Sequence, residues 1–203
     1  MVLILKPHRI AYFPVPKNAN TSIKEGFREA FSDTDLTITS NLRMSARLRA
    51  MAEDCDRVAV VREPMQRALS GYGNRVVHHR DLERSAITRI ALRILGLPLR
   101  PTPDAFFAHL KTYMAVNDRI RRHFLPQRAY LGADLGYFHA LYRIDELDRL
   151  AADIEQRTGT PIAFGRHQTG GPKLGVDDVS DTTRARIRSF YAEDFALLSG
   201  FFN

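Results

Sequence analysis

A single cysteine, Cys55, occurs in the 203 residues, which excludes an internal disulfide and a cysteine-rich zinc site. Just ahead of the apolar run Val58–Val61, it reads as a half-buried, inert thiol. Long apolar runs are missing as well. The N-terminal stretch MVLILKPHRIAYFPV has only four consecutive apolar residues between Met1 and Lys6, too few for a signal core, and no run approaches the roughly 18 residues of a membrane span. The chain is therefore expected to be soluble and cytoplasmic. No RNP or zinc-finger pattern occurs, so nucleic acid is not an expected partner. GxxxxGK[ST], which sets a lysine and a magnesium-binding hydroxyl around nucleoside triphosphates, is absent too. Repeats, low-complexity tracts and interdomain linkers are lacking, and 44% hydrophobic content at this length suffices for one compact core spanning residues 1–203. The net charge of +7 calls for an anionic partner without choosing its kind.

What is present is organised around Arg9–Phe31, RIAYFPVPKNANTSIKEGFREAF. Ile10, Tyr12, Phe13 and Val15 read as a strand, Pro16–Asn20 as a short polar loop, and Ile23, Phe27, Ala30 and Phe31 fall at helical spacing. A loop opening a helix turns several backbone N–H groups toward one point, where the helix dipole adds partial positive charge. Lys17 adds a full charge, and Thr21 and Ser22 add hydroxyl donors. The residues alone fit either a phosphate cradle or an ordinary strand-to-helix turn with a solvent lysine. A second stretch, RVAVVREPMQRALSGY, is another apolar strand ending in Arg62, with Pro64 suited to the first position of the helix that carries Arg67, Ser70 and Tyr72.

Together VPKNANTSI and VVREPMQRALSGY resemble the two cofactor-binding motifs of sulfotransferases that use 3′-phosphoadenosine 5′-phosphosulfate (PAPS). HFLPQ (123–127), YRIDEL (142–147) and FYAEDFALL (190–198) resemble the carbohydrate branch of that family. The resemblance implies an α/β fold in one domain, a P-loop-like parallel sheet flanked by helices. It implies that Lys17, Asn18, Ala19, Asn20, Thr21 and Ser22 hold the 5′-phosphosulfate, with Lys17 catalytic. Arg62 and Ser70, eight residues apart, take the 3′-phosphate. Arg166 and Lys173, in the Gly- and Pro-rich segment RHQTGGPKLG, would close over the 3′-phosphate and adenine; the same loop also reads as irregular surface with two solvent cations. No metal is expected. One departure is Ala19 where the family commonly has glycine, since alanine tolerates positive φ poorly.

The acceptor hydroxyl needs a base, and Thr37–Arg62, where one is expected, has no histidine. His123, in NDRIRRHFLPQRAYL, is the expected base, with Arg121, Arg122 and Arg128 steering an anionic or carbohydrate acceptor; the alternatives are His78, His79 or an acidic residue. Two other classes share parts of this pattern: a P-loop phosphotransferase or kinase, and a non-catalytic anion- or glycan-binding module.

Elsewhere, Asn41 is expected to cap a basic helix from about 42 to 53, and residues 137–144 to form a strand. Asp145 caps a helix ended by Gly159, and Ser180 caps a final amphipathic helix. Thr102 starts a helix whose Phe106, Phe107, Leu110 and Tyr113 read as core or lid packing. Residues 84–95 form a basic amphipathic helix with Ile87, Ile90, Ala91 and Ile94 on one face, expected to pack on the domain, with peripheral contact to a membrane or partner helix as the alternative.

Overall fold

The computed structural model describes residues 2–39, 43–165 and 170–202. The chain divides into two compact units. One comprises Met1–Arg62, Gln127–Gln168 and Ser199–Asn203; the other comprises Glu63–Pro126 and Thr169–Leu198.

The first unit holds a five-stranded sheet, β1 (Leu3–Leu5), β2 (Ile10–Phe13), β3 (Leu36–Ile38), β4 (Asp56–Val61) and β5 (Ala140–Arg143), in the order β3-β1-β2-β4-β5. β2, β4 and β5 pair in parallel, whereas β1 is antiparallel to both β2 and β3. The expected parallel sheet is thus mixed, with β1 reversed. Its three residues turn back through Lys6–Arg9 into β2, a tight connection open only to an antiparallel neighbour. The central strands are buried on both faces, which is why they read as continuous apolar runs. Leu3, Leu5, Ile10, Tyr12, Val58, Val60 and Tyr142 share one core with Ile23 and Phe27 of helix α1 (Asn20–Ala30) and with Leu150 and Ile154 of the Leu147–Thr158 helix.

The flanking elements follow only part of the expected punctuation: the Leu147–Thr158 helix starts after Glu146 with no side-chain cap, and Asp145 instead accepts from the Arg143 guanidinium. Gly159 terminates its helix at φ 70°. The strand expected over 137–144 shortens to Ala140–Arg143, because single 3₁₀ turns occupy Leu135–Tyr137 and Ile144–Glu146 on either side. Asn41 lies outside the described residues; the basic helix there spans Ala46–Met51 and is capped by Ser45, whose side chain accepts from Leu48 N–H.

The second unit is helical around an aromatic core. Tyr72, Phe106, Phe107, Tyr113, Phe124 and Tyr191 are buried together, so the aromatics expected as core or lid are core. Each tyrosine hydroxyl donates to a carbonyl: Tyr72 to Pro101 (2.7 Å), Tyr113 to Pro98 (2.9 Å) and Tyr191 to Phe124 (2.7 Å). The final helix is two, Asp181–Phe190 and Ala192–Leu197, broken at Tyr191.

Asp104 joins two helices of this unit. Its carboxylate accepts from the hydroxyls of Ser180 (2.8 Å) and Thr183. These bonds hold its pKa below the ordinary aspartate value. A depressed folded-state pKa gives stability that is present above the unfolded value near 3.9 and lost as pH falls through the folded one. Asp104→Asn is therefore expected to flatten the acid limb of the unfolding midpoint below about pH 4, checked by thermal melts from pH 2 to 7.

Candidate active site

The loop after β2 is built by two residues in the left-handed region, Lys17 (φ 74°) and Ala19 (φ 57°). The departure at Ala19 therefore does not change the geometry a glycine would allow; it adds strain of about 1–2 kcal/mol. Between them, Asn18 is fully buried. Its amide donates to Val60 O and to Gln127 Oε1, both at 2.7 Å. Gln127, also fully buried, accepts from Arg62 N–H (3.1 Å) through the same oxygen and donates through Nε2 to Arg62 O (2.6 Å). The Arg62 guanidinium completes the circuit through Nη1 to Lys17 O (3.2 Å). Loop and strand end are thereby stapled together by buried polar groups.

This network explains how Lys17 and Arg62 come together. β2 and β4 are parallel neighbours in register from Ile10↔Asp56 to Phe13↔Ala59, so their carboxyl ends emerge side by side. α1 starts at Asn20 with no side-chain cap and no acidic residue in its first turn. Its first backbone bond runs from Ile23 N–H to Ala19 O, so the N–H groups of Asn20, Thr21 and Ser22 face the open end of the helix. Tyr12 OH, donating to Asn20 Oδ1 at 2.9 Å, ties this end to the sheet. A helix start with open backbone donors and no carboxylate in its first turn is a place that favours negative charge.

In the second unit, Ser70 is half-buried near the end of the Pro64–Gly71 helix, where Pro64 holds the expected first position. A π-helical stretch, Tyr72–His78, continues from it. The late glycine loop lies against that stretch. A Cβ on Gly73 would stand 2.3 Å from Pro172 O, and one on Gly171 (φ 99°) 2.2 Å from Gly73 O. Only glycines permit this approach of two backbones. Asn74 Nδ2 donates to Gly170 O at 3.3 Å. The described part of the loop, expected as closing over the nucleotide or as irregular surface, is packed onto the continuation of the Ser70 helix. Lys173 is exposed on it, and Arg166 lies outside the described residues.

The three candidate bases differ in setting. His123, in the Asp118–Phe124 helix, is half-buried with its Nδ1 closed off from solvent, and its carbonyl accepts from Arg67 Nη2 (3.4 Å). His78 packs on the glycine loop, its Nε2 2.4 Å from where a Gly170 Cβ would be. His79 has its pKa lowered by burial and then by Arg75 and His78. Arg121 pairs with Asp118 at 2.7 Å on its own helix. Among the described residues, no group of three or more His, Cys, Asp or Glu is gathered as for a metal ion. The Cys55 thiol is half-buried, and burial raises its pKa, consistent with an inert thiol.

A strand-loop-helix turn at the carboxyl ends of parallel strands, in a sheet flanked by helices, is an α/β arrangement of the P-loop-like class. The sequence matches the family described as the sulfotransferase family over residues 1–199, and the chain belongs to that family, whose reaction is sulfuryl transfer. No curated protein and no solved structure is matched.

Gln127 is the residue whose role sequence reasoning missed. It stood inside HFLPQ with no function attached, and only the fold brings it to Asn18 and Arg62. Gln127→Leu leaves the Asn18 amide, Arg62 N–H and Arg62 O without their buried partner. A destabilisation of about 2–4 kcal/mol is expected, measured by urea unfolding against wild type.

Proposed function

We propose that the protein transfers a sulfuryl group from PAPS to a hydroxyl acceptor, a carbohydrate or other glycan, in the cytoplasm, and that residues 1–203 act as one sulfotransferase domain. The family match through both units supports the single domain. The observation that carries the reading is the stapled anion site: Lys17, the open end of α1 and Arg62 held in one network at the ends of β2 and β4.

When bound, PAPS supplies an activated sulfuryl group whose departure leaves the 3′,5′-bisphosphate. The backbone N–H groups from Ala19 to Ser22 and the Thr21 hydroxyl hold the 5′-phosphate, while Asn18, whose own N–H donates to Val15 O at 3.1 Å, shapes the loop from within. Lys17 neutralises charge that grows on the bridging oxygen, an interaction stronger in the transition state than in the ground state. Arg62 and Ser70 take the 3′-phosphate, and Arg166 and Lys173 close over it and the adenine. Glycine contacts that seat Gly170–Pro172 beside Gly73 support a loop role of this kind. Such a site works by positioning and electrostatics, so no metal is required.

His123 takes the acceptor proton, and the arginines around it favour an anionic or carbohydrate acceptor. Its rivals carry other duties or settings: His78 packs the glycine loop, and His79 sits beside Arg75. A kinase reading shares the cradle but lacks GK[ST], and a purely binding module would retain glycan without binding PAPS.

Lys17→Ala is expected to bind the 3′,5′-bisphosphate with a modest loss and to lower sulfuryl transfer by about 10²–10³-fold. Transfer of labelled sulfate to a hydroxyl acceptor measures this, and EDTA should leave the wild-type rate unchanged. ATP-dependent, metal-requiring phosphorylation in place of sulfation would establish the kinase reading.

His123→Ala is expected to cut turnover by about 10²-fold or more while leaving bisphosphate affinity intact. A nearly silent His123→Ala alongside an inactive His79→Ala would move the base to the end of the π-helical stretch.

A further inference from the structure

The helix expected to pack through its isoleucines does the opposite. It spans Ala86–Ile94, is capped by Ser85, and buries Thr88 and Leu92. Ile87 is 79% exposed, Ile90 58%, Ile94 80% and the adjoining Leu95 51%. The three isoleucines, at i, i+3 and i+7, form one stripe along the solvent side. Large apolar side chains cluster this way on a surface where they meet something apolar.

The charge beside the stripe identifies that surface. From Arg84 to Pro103 the sequence has no acidic residue, while Arg84, Arg89, Arg93 and Arg100 are all basic. Arg89 and Arg93 are exposed on the helix itself. At its N-terminal end a cavity of about 450 Å³ is lined by Ile87 together with Arg84 and Arg119. Two carboxylates also line it, Asp81 and Asp118, but Arg75 pairs with Asp81 at 2.5 Å and Arg121 with Asp118 at 2.7 Å. Arg119 (3.8 Å) and Arg84 (3.9 Å) also approach Asp81, so three guanidinium groups share one carboxylate and positive charge is in excess, with Arg84 and Arg119 each more than half exposed. Positive charge around an exposed apolar stripe complements a surface that is apolar within and anionic at its face. A second copy of the chain is a poor match, because a twofold contact would set these arginines against themselves.

We propose that this helix docks the protein reversibly on an anionic lipid bilayer, with Ile87, Ile90 and Ile94 entering the headgroup boundary and Arg89 and Arg93 lying at the phosphates. The acceptor would then be met at a membrane surface. This inference does not depend on the identity of the sulfuryl donor.

Co-sedimentation with vesicles tests it. The full chain should pellet with equimolar phosphatidylcholine and phosphatidylglycerol, not with phosphatidylcholine alone, and binding should fall as salt rises. Ile87→Asn with Ile94→Asn, and separately Arg89→Gln with Arg93→Gln, should each weaken partitioning about tenfold or more. Both pairs are exposed, so circular dichroism and the melting temperature should match wild type. Equal binding to neutral vesicles, no binding to either kind, or wild-type partitioning by either double variant would overturn the proposal. So would self-association, seen by light scattering and abolished by the isoleucine changes, without lipid binding.

Discussion

The hydrogen-bond circuit through Asn18, Gln127 and Arg62 is the constraint on which the loop after β2, and with it the proposed anion site, depends. A loop with Lys17 and Ala19 both left-handed carries about 2–4 kcal/mol of backbone strain. Among the described residues only four non-glycine positions have positive φ, and two of them are in this loop. Five hydrogen bonds hold it: two from the Asn18 amide, two between Gln127 and the Arg62 backbone, and one from the Arg62 guanidinium to Lys17 O. At about 1 kcal/mol net each, they are of the size needed to offset that strain. Because Asn18 and Gln127 are fully buried, the alternative to making these bonds is an unsatisfied polar group, which is costlier than the strain.

Chemistry follows from what that circuit fixes. It holds the end of β4 against the loop after β2, and the helix that follows opens with neither a side-chain cap nor an acid. For the sulfuryl transfer proposed above, donors that are mostly backbone and already fixed would need little reorganisation as charge develops in the transition state. In the second unit the same economy of side chains recurs. Gly73 and Gly171 let a loop backbone lie directly on the π-helical stretch after Ser70, an approach that any Cβ would block. Tight backbone packing of this kind gives a late loop a definite seat.

The local order was legible where punctuation is strong. The apolar runs from Ile10 and from Val58 read as strands, the first expected to reach Val15 but ending at Phe13 before Pro14, and Pro64, Thr102, Ser180 and Gly159 marked helix ends where they stand. Lys17 and Arg62 were singled out from the two motifs for different phosphates, and their meeting through Arg62 Nη1 and Lys17 O shows only in the fold. Other features depend on tertiary context. Leu3–Leu5 is too short to announce itself as a strand, and its reversal shows only in its pairing. Gln127 lies 109 positions from Asn18, so its bond has no local signal. For the Ala86–Ile94 helix the amphipathic period was correctly seen, but periodicity cannot say which face meets the core. Thr88 and Leu92 go inside, and the richer apolar stripe goes out.

The central claim is that this site is made for a nucleotide carrying a 3′-phosphate, with Arg62 as a principal contact. Calorimetric comparison of adenosine 3′,5′-bisphosphate with AMP tests it most directly. A charge-assisted contact of about 1.5–3 kcal/mol predicts that the bisphosphate binds roughly tenfold or more tightly, and that Arg62→Ala largely removes the difference. Equal affinities for the two nucleotides in the wild-type protein would contradict the account.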